Sequence, residues 1–219
     1  MEITINKIAE QLKARLKKPL PGNKAHLTTR IKTKSEVTFP NTEETAIPAA
    51  VLILLFPFEG DIQFFLTKRT EDVEHHKGQI SLPGGIRENN ETLEETALRE
   101  TKEEIGIDPN TIMNLGSLTP FFIPVTGYIV HPFIGWCKEK PLTQVHDVEV
   151  NQLFSVSTAL LFTDLPLSRR PSRNQLLWAG RSRSRSPLSA IIHTKQYFSP
   201  LVLYHNFQRY QVMDVVISS

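Results

Sequence analysis

At 219 residues, 40% of them hydrophobic and 22% charged, the chain suits one well-buried core and is too short for two ordinary domains plus a linker. No apolar run approaches the roughly 20 residues that cross a bilayer, so no membrane-spanning helix is expected. The net charge of +2 hides a segregated pattern, +7 over residues 1–35, −11 over 36–150 and +6 over 151–219. An acidic centre between basic ends suits a cation beside an anionic substrate, or else the ends are simply solvated surface.

Ile5, Ile8, Leu12 and Leu16 recur at helical spacing and predict an amphipathic helix over roughly 3–18, stopped by Pro19 and Pro21-Gly22. Its narrow aliphatic stripe favours packing on the body of the domain over lying on a membrane. The Met-Glu start lacks the layout of a secretory signal, so a cytoplasmic location is expected. Residues 20–46 read as a polar connection with a short strand near Leu27 to Ile31. Ala50 to Phe56 is a near-continuous apolar run, as in a strand covered on both faces. Glu59-Gly60-Asp61 turns it into a return strand at Ile62 to Thr67. A short strand at Gly78 to Leu82 enters Pro83-Gly84-Gly85, and an acidic helix follows. Further strands are expected at Thr111 to Leu118 and Tyr128 to Trp136, the latter leading to Cys137, the single cysteine and an expected buried, inert thiol.

Leu153 to Leu161 reads as a helix. Thr163 to Ser189 reads as an exposed loop rich in Ser, Arg and Pro, with Arg181 to Arg185 as an alternative phosphate grip. The aromatic and branched residues from Tyr204 to Ile217 are enough to rejoin the core. The sum is an α/β fold of the α+β sandwich kind, a mixed sheet with helices packed on its faces. It divides into an N-terminal arm and connection (1–46), a catalytic core (47–155) and a C-terminal extension (156–219).

The acidic helix carries the chemistry. Thr92 and Glu95 form a capping-box pattern, Leu93, Ala97, Leu98 and Ile105 supply the apolar side, and Gly106 is placed to close the helix in the left-handed conformation. At about 100° per residue, Glu100, Glu103 and Glu104 fall on one face. A solvated charged surface is the ordinary reading of such a run. Here, however, Lys102 is the only lysine in the segment and lies off that face, and carboxylates near a helix C-terminus oppose the macrodipole. A divalent cation turns that repulsion into coordination, and in turn suggests a substrate rich in phosphate oxygen.

The segment GGIRENNETLEETALRETKEEIGI resembles the Nudix box through Gly85, Glu91, Arg99, Glu100, Glu103, Glu104, Gly106 and Ile107. Thr101 stands where the pattern is usually apolar or small. The resemblance implies a Nudix fold in which Glu100, Glu103 and Glu104, with the Gly85 carbonyl, ligate Mg²⁺ or Mn²⁺. It also implies that Arg99 braces the loop through Glu91. Glu103 or Glu104 is the implied proton acceptor from water, with Glu149, in a loop beyond the box, as a second candidate.

Phe65 to Thr70, then Gly78 to Gly85, resemble the added signature of the coenzyme A pyrophosphatase branch, as do Pro124 to Tyr128 and Val130 to Phe133. That implies hydrolysis of coenzyme A or its acyl derivatives to 3′-phosphoadenosine 5′-phosphate and 4′-phosphopantetheine. Glu74 replaces the branch arginine and Leu82 its phenylalanine, with Lys77, or the neighbouring His75 and His76, as the candidates to compensate for the reversed charge. Gly84, Gly85 and Lys77 join Arg69 as substrate-binding candidates. Arg69 lies beside the diphosphate or else pairs with Glu71 or Asp72. Phe121 and Phe122 are candidates for an adenine or pantetheine wall, or for core. ADP-ribose, another nucleoside diphosphate derivative, and nucleotide binding without cleavage are the alternatives. No aromatic-basic interleaving supports nucleic-acid binding. Strand edges and the N-terminal helix leave a homodimer open.

Overall fold

A computed structural model describes residues 2–22, 41–70 and 79–159. Its spine is β1, Ile47–Phe58, whose apolar run is buried from Leu52 to Phe56 because both faces of the strand are covered. The turn at Glu59-Gly60 returns the chain as β2, Asp61–Arg69, antiparallel to β1 with Leu55 opposite Phe64. β3 (Ile80–Ser81) pairs with β2, and β4 (Gly84–Ile86) pairs antiparallel with the first half of β1. After the acidic helix come β5 (Met113–Ser117), β6 (Phe121–Ile123), β7 (Tyr128–Trp136) and β8 (Val150–Ser157). β7 runs parallel to β1 along nine registered pairs, from Ile47 with Tyr128 to Leu55 with Trp136. The described sheet therefore has eight strands in the order β3-β2-β1-β7-β5, with β4, β6 and β8 paired to β1, β7 and β2.

Strand alternation sends Ile53, Leu55, Phe64, Leu66, Ile134 and Trp136 to one face, where Ala9 and Leu12 of α1 (Glu2–Leu16) join them. Ala50, Leu52, Leu54, Phe56 and Phe65 point to the other face and meet Ala97 and Ile105 of α2 (Leu93–Ile105). Each large apolar side chain buried this way contributes about 1.5–3 kcal/mol, so the helices are fastened to the sheet from both sides. The N-terminal helix thus packs on the domain, as its stripe predicted. Cys137 is buried, its Sγ 3.6 Å from the Thr111 carbonyl oxygen, and burial pushes the thiol up to about 11, which makes it inert.

One expectation is corrected. The expected helix from Leu153 is instead β8, which pairs antiparallel with β2 through Phe154 opposite Leu66 and Val156 opposite Phe64. The period-two burial of Val150, Phe154 and Val156 wins because β2 otherwise lacks a partner on that edge. Phe121 and Phe122 lie on β6, a short strand the sequence reading did not anticipate. The expected strand near Leu27, the expected strand start at Gly78 and everything from residue 160 onward lie outside the described residues, and the described part of the Gly78 strand is β3, Ile80–Ser81.

Candidate functional site

α2 begins as its sequence predicts. The Thr92 side chain accepts from the Glu95 amide at 3.2 Å, while the Glu95 carboxylate accepts from the Thr92 amide at 2.7 Å. Gly106 closes the helix at φ +72°. A second constraint acts on it, since a Cβ there would lie 2.7 Å from the Gln144 carbonyl oxygen and 3.0 Å from its amide nitrogen. The close approach has a purpose: the Gln144 and His146 amides donate to the Ile105 and Glu104 carbonyls at 2.9 and 3.0 Å, satisfying helix-end acceptors that would otherwise lack partners. The same segment is tied to the end of β2, with the Thr70 amide donating to the Glu149 carbonyl and the Thr70 hydroxyl to the Val148 carbonyl. It forms a strap that carries Glu149 up to the acidic helix.

Arg99 organises the acidic face. Its Nε and Nη2 grip Glu91 bidentately at 3.0 and 2.9 Å, and Nη1 reaches Glu100 at 3.0 Å and Glu103 at 2.9 Å. Nη2 also donates to the Ile86 carbonyl at 3.2 Å, which ties helix, loop and β4 together. Glu91 further accepts from the Glu88 amide and the Thr96 hydroxyl. The Arg99 hydrogen bonds hold its carboxyl down at about 2, and the same contacts raise the Arg99 guanidinium. Thr101, the departure from an apolar position, is fully buried and donates its hydroxyl to the Ala97 carbonyl at 2.7 Å, so its polar atom is satisfied inside the core.

The three helical carboxylates differ. The Glu103 side chain is 56% exposed and that of Glu100 15%, whereas Glu104 as a residue is only 3% exposed. Among the described residues, Glu104 Oε2 has no hydrogen-bond partner. Burial first, then repulsion from Glu100 and Glu149, pushes its carboxyl up to about 8 against the pull of Arg69 and the Gly84 amide. Glu100 is also raised, chiefly by burial and against the pull of Arg99. A Cβ on Gly85 would fall 2.2 Å from Glu100 Oε1, so only glycine leaves room for that carboxylate against β4.

The structure therefore gathers Gly84, Gly85, Arg99, Glu100, Glu103, Glu104, Arg69 and Glu149 along one side of α2, with Glu91 behind Arg99 as its brace. Arg69 sits at the bulged end of β2, close enough to act on Glu104, and its Nε has no partner among the described residues. Lys77, Glu74 and the proposed partners Glu71 and Asp72 lie outside the described residues. Sequence reasoning missed Thr96 and the strap amides. A buried threonine one turn after a cap is a weak signal for the first, and backbone donors leave no signal for the second.

The donor set fits a hard divalent cation: a backbone carbonyl at Gly85 and three carboxylates, of which Glu104 keeps one buried oxygen without a partner among the described residues. As the side chains stand, no three acidic, histidine or cysteine groups among the described residues enclose an ion. Arg99 Nη1 instead bridges Glu100 and Glu103. A cation at this face would take over part of the neutralisation that Arg99 now provides.

Comparison with known proteins matches this arrangement to a family. The sequence model of the NUDIX domain matches residues 46–176. Nudix hydrolase 15, mitochondrial, of Arabidopsis thaliana is 43% identical over 94 residues, covering 42% of this chain and 33% of that protein. Nudix hydrolase 3 of Caenorhabditis elegans is 31% identical over 127 residues, covering 57% and 53% of the two chains. "Uncharacterized Nudix hydrolase NudL" of Pectobacterium atrosepticum is 32% identical over 136 residues, covering 58% and 70%. The match thus spans only about a third to a half of the plant and nematode relatives. Among solved structures, the C. elegans Ap4A hydrolase aligns at a TM-score of 0.46 and 17% identity, covering 75% of this chain and 98% of that one.

Proposed function

Since the chain belongs to the Nudix family, whose domain spans residues 46–176 of it, we propose that it is a divalent-metal-dependent hydrolase of phosphoanhydrides. Coenzyme A or an acyl derivative is the substrate, giving 3′-phosphoadenosine 5′-phosphate and 4′-phosphopantetheine. The observation that carries the catalytic reading is Glu104, a carboxylate 3% exposed, with an orphaned oxygen and with Glu100 and Glu149 as like-charged neighbours. Burial and like-charge repulsion outweigh the pull of Arg69 and the Gly84 amide on this carboxyl, and a cation would offset both.

Glu100, Glu103 and Glu104, with the Gly85 carbonyl, would hold Mg²⁺ or Mn²⁺. When bound, such an ion polarises phosphoryl oxygens and lowers the pKa of a water ligand. The chain's own residues do the rest. Arg99, held from behind by Glu91, fixes Glu100 and Glu103 at the mouth of the site. The strap keeps Glu149 in the field of both buried carboxylates, where it competes with Glu103 and Glu104 as the acceptor of the water proton. Water oxygen forms the new P–O bond, the P–O bridge breaks, and the departing phosphate leaves with the bridging oxygen. Arg69 supplies positive charge beside Glu104, suited to the diphosphate oxygens. The catalytic core is proposed to run from 47 to 155, with the C-terminal extension beyond it. A second reading, ADP-ribose or another nucleoside diphosphate derivative, is favoured by Glu74, which reverses the charge of the coenzyme A branch pattern.

A substrate panel with Mg²⁺ or Mn²⁺, its products resolved by mass, tests the proposal. Phosphopantetheine as the dominant product is expected. Preferred cleavage of ADP-ribose removes the coenzyme A assignment and leaves the mechanism, while no cleavage of any diphosphate removes both. Gly85→Ala separates site from scaffold. Its backbone is not left-handed and the atoms nearest an added methyl are the carboxylate end of Glu100, so the melting temperature should change little while Mg²⁺ affinity falls about tenfold. Unchanged Mg²⁺ affinity in that variant removes Glu100 from the ligand set.

A further inference from the structure

The α2 side of the sheet is not fully covered. Register places Gly85 of β4, Ala50 of β1 and His131 of β7 side by side on it, since Ala50 pairs with both of the others. Ala50 and Phe133 belong to the cluster under α2, and His131 shares their alternation, while Val130 and Ile134 point to the α1 side. The next row outward is Pro48, Ile129 and Phe122, paired in turn across β1, β7 and β6. These three are half-buried and belong to neither core cluster, whereas Phe121 and Ile123 pack on the α1 side. Register thus separates the two adjacent phenylalanines: Phe121 is core and Phe122 faces the α2 side.

Arg87 completes the row. Its amide donates to the Pro48 carbonyl at 3.0 Å, which fixes it at the edge of this surface, and its side chain is exposed. His131 is half-buried and makes no side-chain hydrogen bond to any described residue. Burial first, then the nearby Arg87 charge, holds its imidazole below the ordinary range, so at neutral pH it carries one donor and one acceptor nitrogen. From Gly85 to His131 is two strand spacings, about 10 Å. That is the reach from a scissile phosphate to the sugar and the group beyond it.

We propose that Phe122, His131 and Arg87 form the subsite that receives the nucleoside end of the diphosphate substrate, with His131 as a specificity-determining residue. This rests on the hydrolase reading above and deepens it. The Phe122 ring offers a face for a planar base, His131 reads a polar edge by paired donor and acceptor, and Arg87 meets a ribose oxygen. The 4′-phosphopantetheine arm offers amides but no planar base, so a ring face beside His131 and Arg87 assigns the subsite to the nucleotide half of the substrate.

Equilibrium binding of adenosine 5′-diphosphate and of inorganic pyrophosphate, both with Mg²⁺, to the full chain tests it. Wild-type protein should bind the nucleotide more tightly than pyrophosphate. His131→Ala should weaken the nucleotide about tenfold and leave pyrophosphate unchanged, and His131→Gln, which keeps a donor and an acceptor, should restore most of the loss. Equal losses for both probes, or no loss for the nucleotide in an Ala variant that melts like wild type, overturns the subsite. Should His131→Ala fail to fold, Arg87→Ala carries the same comparison from the exposed side. Pyrophosphate binding with no gain from the nucleoside overturns the subsite alone. If neither probe binds wild-type protein, the carboxylate centre and the subsite fall together.

Discussion

Replacing Glu103 with glutamine is expected to lower kcat by roughly 100-fold or more while leaving the melting temperature close to wild type. The side chain is 56% exposed and its one described contact is the ion pair with Arg99 at 2.9 Å. A surface pair at helical spacing is worth only about 0.3–0.5 kcal/mol, so folding hardly registers its loss. The carboxylate charge is another matter, since a proton acceptor requires it and the neutral glutamine amide is a weaker ligand for a hard cation. Glutamine also keeps the shape and can still accept from Arg99, so a loss of turnover reports charge and not collapse of the Arg99 brace. Steady-state rates beside thermal melts decide the point. Wild-type turnover in the variant strikes Glu103 from the catalytic set.

The second large effect concerns stability. The Glu104 carboxyl is raised from the ordinary 4.5 to about 8 in the folded protein, so between those values the native state keeps a proton that the unfolded chain releases. Its contribution is therefore fully present below about pH 4.5 and is lost as pH rises through 8. Glu100, raised in the same direction, adds to the slope. The metal-free protein should accordingly melt at a lower temperature at pH 8 than at pH 6, with a loss on the order of a few kcal/mol. Added Mg²⁺ should reverse that loss, and most strongly at pH 8, because it binds the ionised native state in preference to the unfolded chain. Glu104→Gln should flatten the pH dependence and abolish most of the gain from Mg²⁺. A metal-free protein whose melting temperature climbs from pH 6 to pH 8, or a Gln variant with the wild-type slope, counts against the repulsive cluster.

Local signals made much of this legible in advance. The hairpin at Glu59-Gly60, the cap at Thr92, the closing Gly106 and the three carboxylates on one face all follow from neighbours a few residues apart. The Arg99–Glu91 grip needs the loop to turn back through Asn89 at φ +46°, a non-glycine residue in the left-handed region, and only the family resemblance anticipated it. β8 was misread because the leucines at 153, 160 and 161 suggest a helix, while the partner that decides its state, β2, lies far away in sequence. The strap escaped notice for a simpler reason. Its bonds to Glu104 and Ile105 are made by main-chain amides, which any residue carries. His131 gave no signal of its own because a single histidine on an alternating strand is ordinary until register reveals its neighbours.

The parallel seam between β1 and β7 has a consequence for biogenesis. As the ribosome extends the chain, the most oily strand emerges early and finds its antiparallel partners at once, yet one flank stays bare until Tyr128 to Trp136 has been made. Contacts so remote in sequence form slowly and leave a sticky edge open in the meantime. Nascent chains stalled before that point should clump or recruit chaperones, and those stalled beyond β8 should not.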